Sequence, residues 1–274
     1  MKVWFCLSHV PKHELLGRVF MDLWKNKIQA DRVELTTGTA GPALSEKEKD
    51  GLLVITDDAA LASALRKENV AVLGYLHEKN KDAAFSGVDY LTEDLSGIDT
   101  DYCNLVYARA HGIAMQVLQT KRCIIREMKE EDLDRMYEIY ADPAATAYME
   151  PLFEDPDEER AYLKNYRERI YTFYGYGMWH ILDKESGKMI GRAGLEPKEE
   201  GAELGYLIAA KYRGRGYATE VCRAILQYAF TELQLNLVRA VVHKENRASV
   251  ALCRKLGFSL QSETENDFIY VLYG

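Results

Sequence analysis

One stretch constrains this chain more than any other: Gly205-Tyr-Leu-Ile-Ala-Ala-Lys-Tyr-Arg-Gly-Arg-Gly-Tyr-Ala-Thr-Glu220. Leu204 to Ala209 is an apolar strand, and Arg213 to Ala218 is a turn punctuated by Gly214 and Gly216. The pattern then predicts a helix from Thr219 to about Leu233. A strand, a Gly-rich turn and a helix start, in that order, make an anion site. The first turn of a helix leaves backbone N–H groups without partners, and its dipole favours negative charge there. Glycine removes the Cβ atoms that would keep a phosphate from those amides, and Arg213 and Arg215 add positive charge. The stretch lacks the Gly-x-Gly-x-x-Gly of a dinucleotide fold and the Gly-Lys-Ser/Thr ending of a P-loop.

The totals narrow the setting. A chain of 274 residues has room for two domains. No apolar run reaches the ~18 residues of a membrane span, and the apolar part of the N-terminus is too short for a signal peptide. Five scattered cysteines without a C-x-x-C spacing read as free thiols of a reducing cytoplasm. A net charge of −8 argues against nucleic acid as the main ligand and is compatible with a cationic substrate. The six histidines make no metal-ligand spacing, so no metal is expected.

Residues 1–121 alternate strand and helix, which predicts a small open α/β sheet, Rossmann-like, with helices on both faces. Strands are expected at Lys2–Leu7, Arg32–Thr36, Gly51–Thr56, Val70–Leu76 and Asp89–Leu91. Helices are expected at Pro11–Lys27, Ala59–Glu68 with Asp58 as N-cap, and Asp101–Gly112, and Thr37–Asp50 reads as a loop. Asp57 and Asp58 follow a buried strand, but no third acid, lysine or Gly-rich loop completes a phosphate or metal site. This half is expected to be an accessory domain, serving dimerisation or ligand sensing.

Residues 122–274 read in the order β-α-α-β-β-β-α-β-α-β-β. That order, the turn Arg213-x-x-Gly216-x-Ala218, and Asn246-Arg-Ala-Ser249 followed by Lys255-Leu-Gly-Phe258 resemble the GNAT acetyltransferases. Within them the wording resembles the branch of ribosomal-protein N-terminal (RimJ/RimL-type) and spermidine acetyltransferases. The resemblance implies a mixed, splayed sheet flanked by helices. It also implies acetyl-CoA as co-substrate, lying in a gap between the fourth and fifth strands that is helped by a bulge. On that basis the backbone of Leu207, Ile208 and Ala209 pairs with the pantetheine arm, and an amide near Leu207 polarises the thioester carbonyl. Arg213, Gly214, Arg215, Gly216, Tyr217, Ala218 and Thr219 hold the pyrophosphate, and Asn246 contacts the arm.

The reaction implied is attack of a neutral primary amine on the thioester. An α-amine with pKa about 8 needs ~1 kcal/mol to deprotonate at pH 7, and a lysine-like amine ~4–5 kcal/mol. Glu203, the one acid in an apolar strand, matches the family's fourth-strand Glu and is the candidate general base, with burial raising its pKa. Where many of these enzymes carry a Tyr as acid, this chain has Cys253, which either donates a proton to the leaving thiolate, lies in the core, or leaves that step to solvent. Helix Asp157–Phe173 and loop Ala144–Pro156 flank the acceptor, with Tyr148, Met149, Phe153 and Trp179 as its wall. The acceptor is a protein N-terminus or small amine, with a polyamine or aminoglycoside as the alternative. A noncatalytic acyl-CoA sensor is the reading from another class; under every reading a homodimer is a candidate assembly.

Overall fold

The computed structural model describes residues 1–8, 13–33 and 44–274. The expected helix start at Pro11, the strand end at Thr36 and the first part of the Thr37–Asp50 loop lie outside the described residues. The chain divides into two compact units between Ile113 and Ala114. The expected boundary at 121/122 falls later than this. The reason is local: Gln116–Gln119 pairs antiparallel with Cys123–Arg126 and so belongs to the second sheet.

The first unit contains β1 (Lys2–Cys6), α1 (His13–Lys25), β2 (Gln29–Arg32), α2 (Glu46–Lys49), β3 (Leu52–Thr56), α3 (Ala59–Lys67), β4 (Ala71–Tyr75), β5 (Tyr90–Thr92) and α4 (Thr100–Ala110). Its sheet is parallel in the order β2-β1-β3-β4-β5. Every residue of β3 and β4 is buried, as expected when helices cover both faces. Two apolar clusters lie on opposite faces, one joining α1 and α4 to the sheet and the other joining α3. Asp58 caps α3, accepting the amides of Ala60 and Leu61. Asp57 is buried and accepts both the amide and the hydroxyl of Ser8.

The second unit holds β6 (Gln116–Gln119), β7 (Cys123–Arg126), α5 (Leu133–Tyr140), α6 (Pro143–Thr146), α7 (Pro156–Tyr166), α8 (Thr172–Tyr174), β8 (Met178–Asp183), β9 (Met189–Pro197), β10 (Ala202–Ile208), α9 (Tyr217–Thr231), β11 (Leu237–His243), α10 (Arg247–Leu256), β12 (Ser259–Glu263) and β13 (Asp267–Tyr273). They form one eight-stranded sheet, β12-β13-β11-β10-β9-β8-β7-β6. The expected loop over Ala144–Pro156 contains α6, started by Asp142 and Pro143. Asp155, not Asp157, caps α7, because Pro156 takes the first helical position, where its missing N–H is harmless. No helix among the described residues is long and apolar enough to cross a membrane.

The sheet opens at its centre. β10 pairs with β9 in unbroken antiparallel register from Ala202↔Pro197 to Ile208↔Gly191. It pairs with β11 in parallel only at Ala202↔Val238 and Glu203↔Arg239. Beyond Glu203 the two strands part. The gap therefore comes from this early divergence, and the register of β10 with β9 carries no bulge. β9 and β10 are in close contact here: a Cβ on Gly191 would lie 2.1 Å from the Leu207 carbonyl oxygen. Gly191→Ala is expected to destabilise the protein by about 1–3 kcal/mol, the usual cost of overpacking. A lower urea midpoint at unchanged slope checks this.

Candidate active site

The Gly-rich turn has the backbone that an anion site needs. Gly214 and Gly216 have φ of +71° and +81°, which side-chain-bearing residues rarely adopt. Gly216 takes the N-cap position of α9 with no side chain to cap the helix. The helix starts at Tyr217 rather than Thr219, so the first-turn amides of Tyr217, Ala218 and Thr219 head an uncapped helix. They line a groove of about 510 Å³ together with Tyr206, Leu207 and Ile208 of β10 and Asn246, Ser249 and Lys255 at α10.

The basic groups divide differently from expectation. Arg213 is a brace: its Nε donates to the Ile208 carbonyl at 2.8 Å, and its Nη1 lies 3.0 Å from Asp142. Its charge is therefore partly spent on Asp142. Arg215 is exposed and outside the groove lining, whereas Lys255, missed in the sequence, lines it. The turn itself is held from β7's approach. Arg122 donates to the Arg215 carbonyl at 3.0 Å and to Glu220 at 2.7 Å, and its guanidinium lies 4.0 Å from the Tyr217 ring centroid. Glu220 also accepts the Thr120 hydroxyl and the Arg122 amide. These bonds hold Glu220's carboxyl below its usual range despite burial that pushes it up. Arg122→Ala removes the guanidinium bonds to Glu220 and the Arg215 carbonyl and is expected to raise the KM for acetyl-CoA by about 10-fold or more at little change in kcat. Steady-state kinetics with varied acetyl-CoA checks it.

β10 presents its edge and its faces to different tasks. The Ala209 amide donates to Ile190 of β9. By antiparallel alternation the amides of Leu207 and Gly205 then also face β9, and those of Tyr206 and Ile208 face the gap. The gap-facing amides near Leu207 are thus those of its two neighbours rather than its own. Among side chains, Glu203, Gly205 and Leu207 share one face and Tyr206 takes the other. On that other face the Tyr206 hydroxyl lies 2.8 Å from the Ser249 hydroxyl, inside the groove. Burial pushes the Tyr206 phenol up to about 12. Asn246 accepts the Ser249 amide as the N-cap of α10 and lines the groove as well.

Glu203 sits at the vertex, the last residue of β10 paired with β11. It is half-buried, and desolvation raises its carboxyl above the ordinary range; Lys198 and Arg239 pull it back while Glu196 adds to the rise. Cys253 lies elsewhere. It is buried in the core, outside the groove lining, and desolvation pushes its thiol up to about 11. The structure thus does not bring it to the place where a thiolate would leave. Trp179 also departs from expectation. It is fully buried, edge-on to Tyr228 beneath α9, and cannot wall an acceptor site. Tyr148 and Phe153 are exposed, with Tyr148 stacked on His243 at the far end of β11, and Met149 packs against the core. Among the described residues, no three His, Cys, Asp or Glu side chains gather as a metal site.

The fold, the splayed strands and the uncapped helix after a Gly-rich turn define an acyl-CoA-dependent transferase. Residues 122–259 match the profile of the acetyltransferase (GNAT) domain, and the chain belongs to that family. Its members are N-acetyltransferases that use acetyl-CoA. An uncharacterized N-acetyltransferase p20 of Bacillus licheniformis is 32% identical over 148 residues, covering 53% of this chain and 83% of that protein. The spermidine N(1)-acetyltransferase of Escherichia coli (strain K12) is 27% identical over 145 residues, covering 53% of this chain and 76% of that one. The crystal structure of a GNAT-family acetyltransferase from Bacillus anthracis shares the fold. Its TM-score is 0.51 at 20% identity, over 58% of this chain and 98% of that one.

Proposed function

We propose that the second unit, residues 114–274, transfers acetyl directly from acetyl-CoA to a primary amine, with Glu203 as general base and the first unit, residues 1–113, as an accessory domain. The observation that carries this is the position of Glu203. A carboxylate with raised proton affinity stands where β10 and β11 part, on the strand whose edge amides face the gap. Acetyl-CoA supplies the activated thioester. The α9 amides at Tyr217–Thr219, with Lys255, hold its pyrophosphate, and the open edge of β10 pairs with its arm. The gap-facing amides of Tyr206 and Ile208 polarise the carbonyl oxygen.

The amine reaches Glu203 directly or through one water and loses its proton there. The new C–N bond forms as the C–S bond breaks, and the thiolate leaves beside the Tyr206–Ser249 hydroxyl pair. That pair stabilises the thiolate by hydrogen bonds and relays a proton from solvent. Neither the amine nor the thiol needs a protein-bound acetyl group, in keeping with five cysteines that are all buried.

The test is release of free CoA from acetyl-CoA against peptides, amino acids, polyamines and aminoglycosides. Turnover with one acceptor class supports the reading. Tight acetyl-CoA binding with no release for any acceptor would favour a sensor and sink it.

A further inference from the structure

Among the described residues, an arginine of β9 has no ion-pair partner. Arg192 of β9 lies directly opposite Leu207 of β10 and His180 of β8. Directly opposed residues have Cβ atoms about 4.5–5.5 Å apart, so Arg192 shares the face of Leu207, Gly205 and Glu203. Its guanidinium carbon is 5.8 Å from the Tyr140 ring centroid, which places the side chain between the sheet and α5. Its Nε is buried with no hydrogen-bond partner, and no described carboxylate forms an ion pair with it. Of the carboxylates nearby, Asp132 is fully engaged and Glu159 only in part. Asp132 takes Arg126 through both oxygens and the His180 ring at 2.6 Å. Glu159, 1% exposed, accepts the Phe153 amide through Oε2 and leaves Oε1 unpartnered.

A buried guanidinium nitrogen with no acceptor is costly unless a ligand completes it. A planar fork matches a carboxylate through two parallel hydrogen bonds. Arg192 is also beside the strand position where acetyl transfer is placed, within side-chain reach of an acceptor amine approaching Leu207. We infer that Arg192 anchors a carboxylate of the acyl acceptor, which makes the acceptor an amino-acid-type molecule, amine and carboxylate a few bonds apart, rather than a polyamine. This rests on the acetyl-transfer reading above. Tyr140 holds the guanidinium by its ring face. Glu159, whose Oε1 is buried and unpartnered, is the competing internal partner.

CoA release is measured with free α-amino acids, the matching α-carboxamides and spermidine, using wild type, Arg192→Gln and Arg192→Lys. The expected result is a KM lower for the free acid than for its carboxamide by about 10- to 100-fold, the range of hydrogen bonds to a charged group. Arg192→Gln erases that difference by raising the KM of the acid alone, with the KM for acetyl-CoA unchanged, and Arg192→Lys restores part of it. Preference for spermidine over every carboxylate, or equal KM values for acid and carboxamide, overturns the inference while acetyl transfer stands. So does an Arg192→Gln that loses several degrees of Tm and changes no KM, the mark of an internal pair. If the variant fails to fold, the wild-type comparison of acid with carboxamide decides. Acetyl-CoA binding without turnover of any acceptor removes the transfer reading and this inference with it.

Discussion

Gly216→Glu is expected to abolish acetyl-CoA binding. Three effects act at one position. Gly216 has φ +81°, and a side chain there costs about 1–2 kcal/mol. The new carboxylate would also sit at the uncapped start of α9, occupying the amides of Tyr217–Thr219 and repelling a phosphate. Arg122 would be diverted as well, because its Nη2 lies 3.6 Å from the Cβ position. Together these predict a loss of affinity of about 100-fold or more by calorimetry. Gly216→Ala separates the causes: it keeps the strain without the charge and should lose only about 10-fold. Equal losses for both variants would show that backbone shape alone matters.

Glu203→Gln is expected to lower kcat/KM by about 10²–10⁴, the usual contribution of a positioned base. The loss should depend on the acceptor. An α-amine is ~1 kcal/mol from its neutral form at pH 7, and a lysine-like amine ~4–5 kcal/mol, so the more basic acceptor suffers more. Affinity for acetyl-CoA should be unchanged, since Glu203 lies at the vertex and outside the groove lining. Steady-state kinetics with both acceptor types checks this, and an equal, small loss for each would remove the base role.

The strand, turn and helix around Gly214 and Gly216 were legible because glycine, helix start and strand pattern are local signals. So was the fold of both units, since β-α-β rhythm and the order of elements sit in the chain itself. Contacts across long separations were not. The Tyr206–Ser249 pair joins residues 43 apart, and the Arg122–Glu220 brace joins residues 98 apart. Alternation along β10 signals that Tyr206 faces away from Glu203, but nothing local says that Ser249 waits there. Trp179 shows the opposite limit. A large aromatic on a strand reads equally as wall or core, and only the packing of Tyr228 against it decides. Which amides near Leu207 face the gap was not legible for a related reason: it depends on register with β9, set by Ala209 and Ile190. Arg192 carried no signal at all, because a lone Arg between glycines in a strand is unremarkable until its missing partner is seen.

The most direct test of the account is the pH dependence of kcat/KM for CoA release, wild type beside Glu203→Gln, with one acceptor. A base works only when deprotonated, and burial raises the Glu203 pKa, so activity should fall as pH drops through a value above the ordinary carboxylate range. The acceptor's own protonation adds a limb common to both proteins. The account predicts the additional acidic limb in wild type and its absence in Glu203→Gln. The same limbs in both proteins, at comparable rates, would contradict it.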